Sequence, residues 1–235
     1  MASPFFNEQK ILDSRSGDYS ERMTVNGAVN KTFLLMAILL VTAAYNFEAQ
    51  NPLLMIGGAI GGLIVVLIAA FRPQNSNILA PLYAALEGLF IGGITAMYAM
   101  RASGIVFQAL TLTISVLLVM LFLYKTRIIK VTAGLRTGIV MATAAVALLY
   151  VVSFALSFFG ISVPYIHQGG MIGIGFSLFV VGLAAMNLLL DFDNFERGEQ
   201  VGAPKSMEWY SAMGLLVTIV WLYVEILRLL SKLRD

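Results

Sequence analysis

The sequence predicts an all-α integral membrane protein, a seven-transmembrane-helix bundle forming one membrane domain. Three observations lead there. Apolar residues make up 59% of the chain and charged residues only 12%, whereas a soluble domain carries about a quarter charged. The mean hydropathy is +0.86, so there are too few polar residues to clothe a globular surface. The apolar residues also come in long runs, which select helices over a barrel with its short, alternating strands. At about 20 apolar residues per span, a chain of 235 residues holds seven helices and little else.

Composition removes several function classes. The absence of cysteine excludes disulfides, thiol catalysis and sulfur-ligated metals together. His167 is the single histidine, in a glycine-rich loop, and leaves no room for a histidine-rich zinc site. The net charge of +2 is spread over loops and gives no nucleic-acid patch. No P-loop, dinucleotide-binding glycine pattern, nucleophile elbow or zinc-protease motif is present. Neither a cofactor nor enzyme activity is expected, because no nucleophile–base pair lies in the spans.

The elements follow in order. Residues 1–30 are polar and mixed in charge, without the basic start and apolar core of a signal peptide. They read as a cytoplasmic tail, partly disordered, with TVNG as a turn before the first span. Spans are expected at about 31–47, 53–71, 78–100, 104–124, 138–160, 170–190 and 211–230. Asn51 and Pro52 separate the first two. The second carries Gly57, Gly58, Gly61 and Gly62, small residues that let helices approach closely. Arg72 and Pro73 end it. The third carries Glu87 near its middle; the fourth is uncharged and leads to a loop with Lys125, Arg127, Lys130 and Arg136.

Lysine and arginine counts orient the chain. With the N-terminus cytoplasmic, eleven fall in inner segments and four in outer ones, in keeping with the positive-inside rule. Arg228, Lys232 and Arg234 are the exception. A last segment that re-enters rather than crosses would return those three to the cytoplasm. The expected location is the inner (plasma) membrane, multi-pass, with the N-terminus inside.

Ionisable residues in a span are costly, about 2.5 to 3.5 kcal/mol on insertion scales, and usually face protein or water. Asp191 directly follows the apolar run that closes the sixth span. Asp193 beside it reads equally as a solvated helix end. Glu225 lies inside the last apolar run, where an i, i+3 ion pair with Arg228 would make it tolerable, with Lys232 one turn further on the same face. Glu87 is either a protonated carboxyl packed against another helix or part of an ion path. The methionines and the Trp209–Tyr210 pair read as packing and interface anchors.

The segments TVNGAVNKT, APLYAALEGLFIGGI, LLLDFDNFERG and LYVEILRLLSKL together resemble a bacterial branch of the Bax inhibitor-1 family (transmembrane BAX inhibitor motif proteins). The resemblance covers nearly the whole chain past the tail. It implies a compact bundle with the last helix central, and a pH-sensitive calcium (cation) leak associated with stress responses. By resemblance Asp191 matches the sixth-helix acid and Glu225 the last-helix acid, with Glu in place of Asp. That pair would share a proton as pH sensor and gate, and both are candidate Ca²⁺ contacts. Arg72 is the nearest match to a basic latch residue, while the family's second-helix acid is missing and Glu87 is the candidate to stand in for it.

Elementary physics agrees with such a role. Two close carboxylates in a low dielectric titrate as a unit, and carboxylate oxygens suit Ca²⁺. One geometric condition stands against it. If the last helix starts at Ser211, Glu225 lies about 21 Å deeper at 1.5 Å per residue, away from Asp191 at the membrane edge. The expected surroundings are the lipid bilayer, with Ca²⁺ as permeant ion. The rival reading is a non-conducting regulatory protein that binds a membrane protease or another membrane complex, with 193–208 as its contact surface.

Overall fold

The computed structural model describes residues 22–157, 159 and 170–234. His167 and the tail up to residue 21 lie outside them. Among the described residues the chain forms seven helices, all long and apolar enough to cross a membrane. They are α1 (Val25–Ala49), α2 (Pro52–Phe71), α3 (Ser76–Arg101, after a 3-10 turn at Pro73–Asn75), α4 (Ile105–Lys125), α5 (Ala133–Ser157), α6 (Met171–Gln200) and α7 (Ser206–Lys232). The described residues contain no strand beyond one isolated bridge, between Arg22 and Pro204. The molecule is an all-α, multi-pass membrane bundle.

Outward-facing residues such as Phe33, Leu53, Phe107 and Phe154 are well exposed, as a lipid-covered surface requires. The most buried helix is α7, with 61% of its apolar window enclosed against 44% or less for the others. It also runs as one uninterrupted helix of 27 residues, about 40 Å long, without the internal break that a re-entrant segment would need.

Helix ends depart from the apolar runs, because apolarity marks membrane depth rather than hydrogen-bonded length. The first helix begins at Val25 instead of near 31: the Thr24 hydroxyl accepts the Gly27 N–H at 3.0 Å, a side-chain cap for an otherwise orphaned donor. The sixth continues ten residues past 190 to Gln200, where Arg197 pairs with Asp193 one turn back, Nε to Oδ2 at 2.6 Å. The last starts at Ser206, five residues before the expected Ser211.

The fold divides into two compact units. One contains α1, α2 and α3 together with residues 191–217. Its packing rests on bare backbone. A Cβ on Gly58 would lie 2.5 Å from the Leu86 carbonyl oxygen, and one on Gly92 would collide with the Ala43 carbonyl. Close approach of this kind replaces the hydrophobic drive that is missing between helices in lipid. Asn46 is fully buried here; its side-chain amide donates to the Leu89 carbonyl at 2.6 Å, and its oxygen accepts the Asn51 N–H. The other unit contains α4, α5, residues 171–190 of α6 and residues 218–235. Its core joins Ile139 and Val146 of α5 to Val180, Leu183 and Leu190 of α6, with Trp221 of α7 packed against it. The Asn187 side chain donates to Thr143 at 2.8 Å.

The glycines make a paired test. Gly92→Ala should destabilise the protein by about 1–3 kcal/mol through overpacking. Gly57→Ala, with nothing within 4 Å, should be neutral or slightly stabilising, since Ala favours helix over Gly by about 1 kcal/mol. Thermal melts of both variants in one detergent check the contrast.

Candidate functional site

Helical spacing places Glu225, Arg228 and Lys232 at i, i+3 and i+7 on one face of α7. Glu225 is 1% exposed. The Tyr150 hydroxyl, from α5, donates to its Oε1 at 3.0 Å. Arg228 Nη1 donates to the same oxygen at 3.0 Å, to Oε2 at 3.1 Å and to the Tyr150 hydroxyl at 2.8 Å. The guanidinium also lies over the Tyr150 ring, 5.1 Å from its centre, and the ring meets Phe176 edge-on at 6.4 Å. Lys232 is buried too, and donates to the Gly173 carbonyl at 3.1 Å and the Ser177 hydroxyl at 2.9 Å, both on α6. One carboxylate, two cations and a tyrosine thus occupy the end of an apolar helix. The ion pair weighed as the explanation for Glu225 is present. Removing the Glu225 carboxylate would leave Arg228 without that counter-charge.

A family model described as Bax inhibitor 1 like matches residues 3–235. The chain belongs to the Bax inhibitor 1-like family. No curated protein and no solved structure gives a significant match.

The other residues singled out in the sequence fall as follows. Asp191 is half-buried on α6, and its Oδ1 faces α7 at Gly214, where a Cβ would stand 3.8 Å away. Gly214 precedes Glu225 by eleven residues on the same helix. Asp191 belongs to the unit of α1–α3, and Glu225 and Arg228 to the other. Asp193 is not a solvated helix end: it is 8% exposed and held by Arg197. Glu87 is half-buried on α3 with Tyr83 as side-chain partner, and its Oε2 faces Gly62 of α2, where a Cβ would come within 2.9 Å. Arg72 is the exposed C-cap of α2 and makes no side-chain ion pair among the described residues. Among the described residues no three acidic or histidine side chains gather as a metal site.

A second polar cluster escaped the sequence reading. Glu208, in the first turn of α7, is 2% exposed. It pairs with Lys31, and it accepts from the Thr24 N–H at 2.9 Å and the Thr24 hydroxyl at 3.2 Å. Its carboxylate occupies the space a Cβ on Gly27 would need, while Lys31 lies over the Trp209 ring at 5.3 Å. Glu199 accepts the Val25 N–H at 3.1 Å. Two carboxylates therefore face the N-terminus of α1, where the helix dipole favours negative charge. The TVNG turn was a visible cue to the cap, but a pair 177 residues apart leaves no periodic signal. Tyr150 was likewise invisible, a lone tyrosine in an apolar helix.

Two variants test these clusters. Tyr150→Phe should lower stability by about 1 kcal/mol, the net worth of a lost hydrogen bond, read by chemical denaturation in detergent. Glu208→Ala removes the acceptor of the part-buried Thr24 N–H, at about 1 kcal/mol. It should also speed amide hydrogen exchange at Thr24 and Gly27 while leaving α4 and α5 unchanged.

Proposed function

We propose that this protein is a pH-sensitive Ca²⁺ or cation leak of the inner (plasma) membrane, with its N-terminus in the cytoplasm and no enzymatic activity. The observation that carries the reading is the Glu225–Arg228–Tyr150 group. A carboxylate buried in an apolar helix is costly to keep, which makes it a candidate for function, and this one is held by a cation and a hydroxyl that both depend on its charge. Ionised, Glu225 accepts from both Tyr150 and Arg228. Protonated, it becomes in part a donor and leaves a guanidinium and an ammonium without its charge. Such a change biases any packing that depends on the pair.

Family membership supports the same reading, and Asp191 is the second titrating carboxylate in it. Ca²⁺ takes flexible oxygen coordination from carboxylates and carbonyls, and acidic groups along a path give cation preference. Ca²⁺ is a passing substrate here, not a resident cofactor.

The test is Ca²⁺ efflux from proteoliposomes across a pH series. Wild-type protein should show flux that changes with pH. Asp191→Asn and Glu225→Gln should each flatten that dependence, by about tenfold at the pH of greatest contrast if about 1.4 kcal/mol of gating energy is removed. Flux with unaltered pH dependence in both variants sinks the sensor assignment. Absence of flux at every pH moves the reading to a non-conducting regulator of a membrane protease or similar complex. That reading has less polar surface to draw on, since Asp193 and Glu208 are both buried and engaged inside the protein.

A further inference from the structure

A groove between α2 and α3 contains none of the residues of the proposed sensor. It has a volume of about 320 Å³ and is lined by Met55 of α2 and by Phe90, Ile94, Met97, Tyr98 and Arg101 of α3. That volume falls at the lower end of small-molecule sites, which are mostly apolar with a few placed polar groups. Gly93 shapes one wall. A Cβ there would come 2.8 Å from the Met55 Cβ and 2.9 Å from its sulfur, so the bare backbone lets Met55 lie against α3.

Depth decides what such a groove would hold. With 26 residues, α3 is about 39 Å long, longer than the roughly 30 Å hydrocarbon core. Arg101 is its last residue, and a span of that length centred in the bilayer puts it near the lipid phosphates. From there the lining runs back along one helix face through 98, 97, 94 and 90, about 16 Å toward the bilayer middle. The Arg101 side chain is exposed and makes no ion pair or side-chain hydrogen bond among the described residues. A cation at headgroup depth above an apolar channel matches one amphiphile in charge and in length.

We propose that this groove binds an anionic phospholipid, with its phosphate on Arg101 and one acyl chain against Phe90, Ile94, Met97 and Met55. Guanidinium is suited to the phosphate, since its forked donors take two oxygens at once. The two methionines, unbranched and flexible, conform to a chain of irregular shape. The inference stands apart from the leak reading and from its pH response.

The experiment is native mass spectrometry of the full chain in detergent, with phosphatidylglycerol and phosphatidylcholine of identical chains at equal concentration. Phosphatidylglycerol should be retained about tenfold more, the scale of one charge-assisted contact. Arg101→Gln should bring the two lipids to parity and Arg101→Lys should keep part of the preference. Ile94→Trp, filling the channel, should lower retention of both. Soluble glycerol phosphate should displace neither. An undiminished preference in Arg101→Gln overturns the headgroup assignment, as does unchanged retention in Ile94→Trp for the chain. Displacement by glycerol phosphate overturns the lipid itself, since the site would then read a free anion. Arg101 is exposed at a helix end, so its variants fold whether or not the tryptophan variant does.

Discussion

Inside a bilayer a carboxylate cannot fall back on water, so the groups that satisfy Glu225 also fix how the helices around it pack. Arg228 neutralises it from the same helix, and Tyr150 joins both. Two polar partners thereby tie α7 to α5, in a place where lipid offers no hydrophobic drive for helices to associate. Lys232 adds a tie to α6 through a carbonyl and a hydroxyl. The apolar side chains of this unit fill space around those contacts; the polar groups select the register in which they do so.

The unit of α1, α2 and α3 meets the same constraint differently. There the helices touch backbone to backbone at Gly58 and Gly92, and a single buried amide, Asn46, satisfies a carbonyl of α3. Apart from Glu87 near the middle of α3, the charges of these three helices lie toward their ends. Lys31 and Glu208 meet beside the first turn of α1, and Arg101 stands at the last turn of α3. One unit thus gathers a carboxylate and two cations along a single face of α7, while in α1 and α3 the cations stand toward the helix ends.

Much of this was legible in the residues. The seven helices followed from apolar runs, because length and apolarity are the same requirement in a membrane. Their ends did not, because LDFDNFERGEQ is polar yet continues α6 through the Asp193–Arg197 turn, and because α1 is set by a capping threonine rather than by its first apolar residue. The ion pair of Glu225 with Arg228 was visible, being three residues long. Tyr150 and Lys31 were not visible as partners, since nothing in a sequence of one chain marks which of many isolated polar residues meet across helices 75 and 177 residues apart. The pairing of Asp191 with Glu225 was an expectation from resemblance, and spacing along α7 supplied no support for it.

The collar around the start of α1 has a consequence for how the protein is made. Met23 donates its N–H to the Ala203 carbonyl at 2.7 Å, Val25 to Glu199, and Thr24 to Glu208. Glu199 is synthesised at the end of the sixth helix, and Ala203 and Glu208 only after it. At roughly 5–20 residues per second, the first helix to leave the ribosome waits about ten to forty seconds for the acceptors of its own first turn. During that interval its entry into the membrane rests on Thr24 and on apolarity alone. The last helix arrives carrying the carboxylate that closes the opening end of the first.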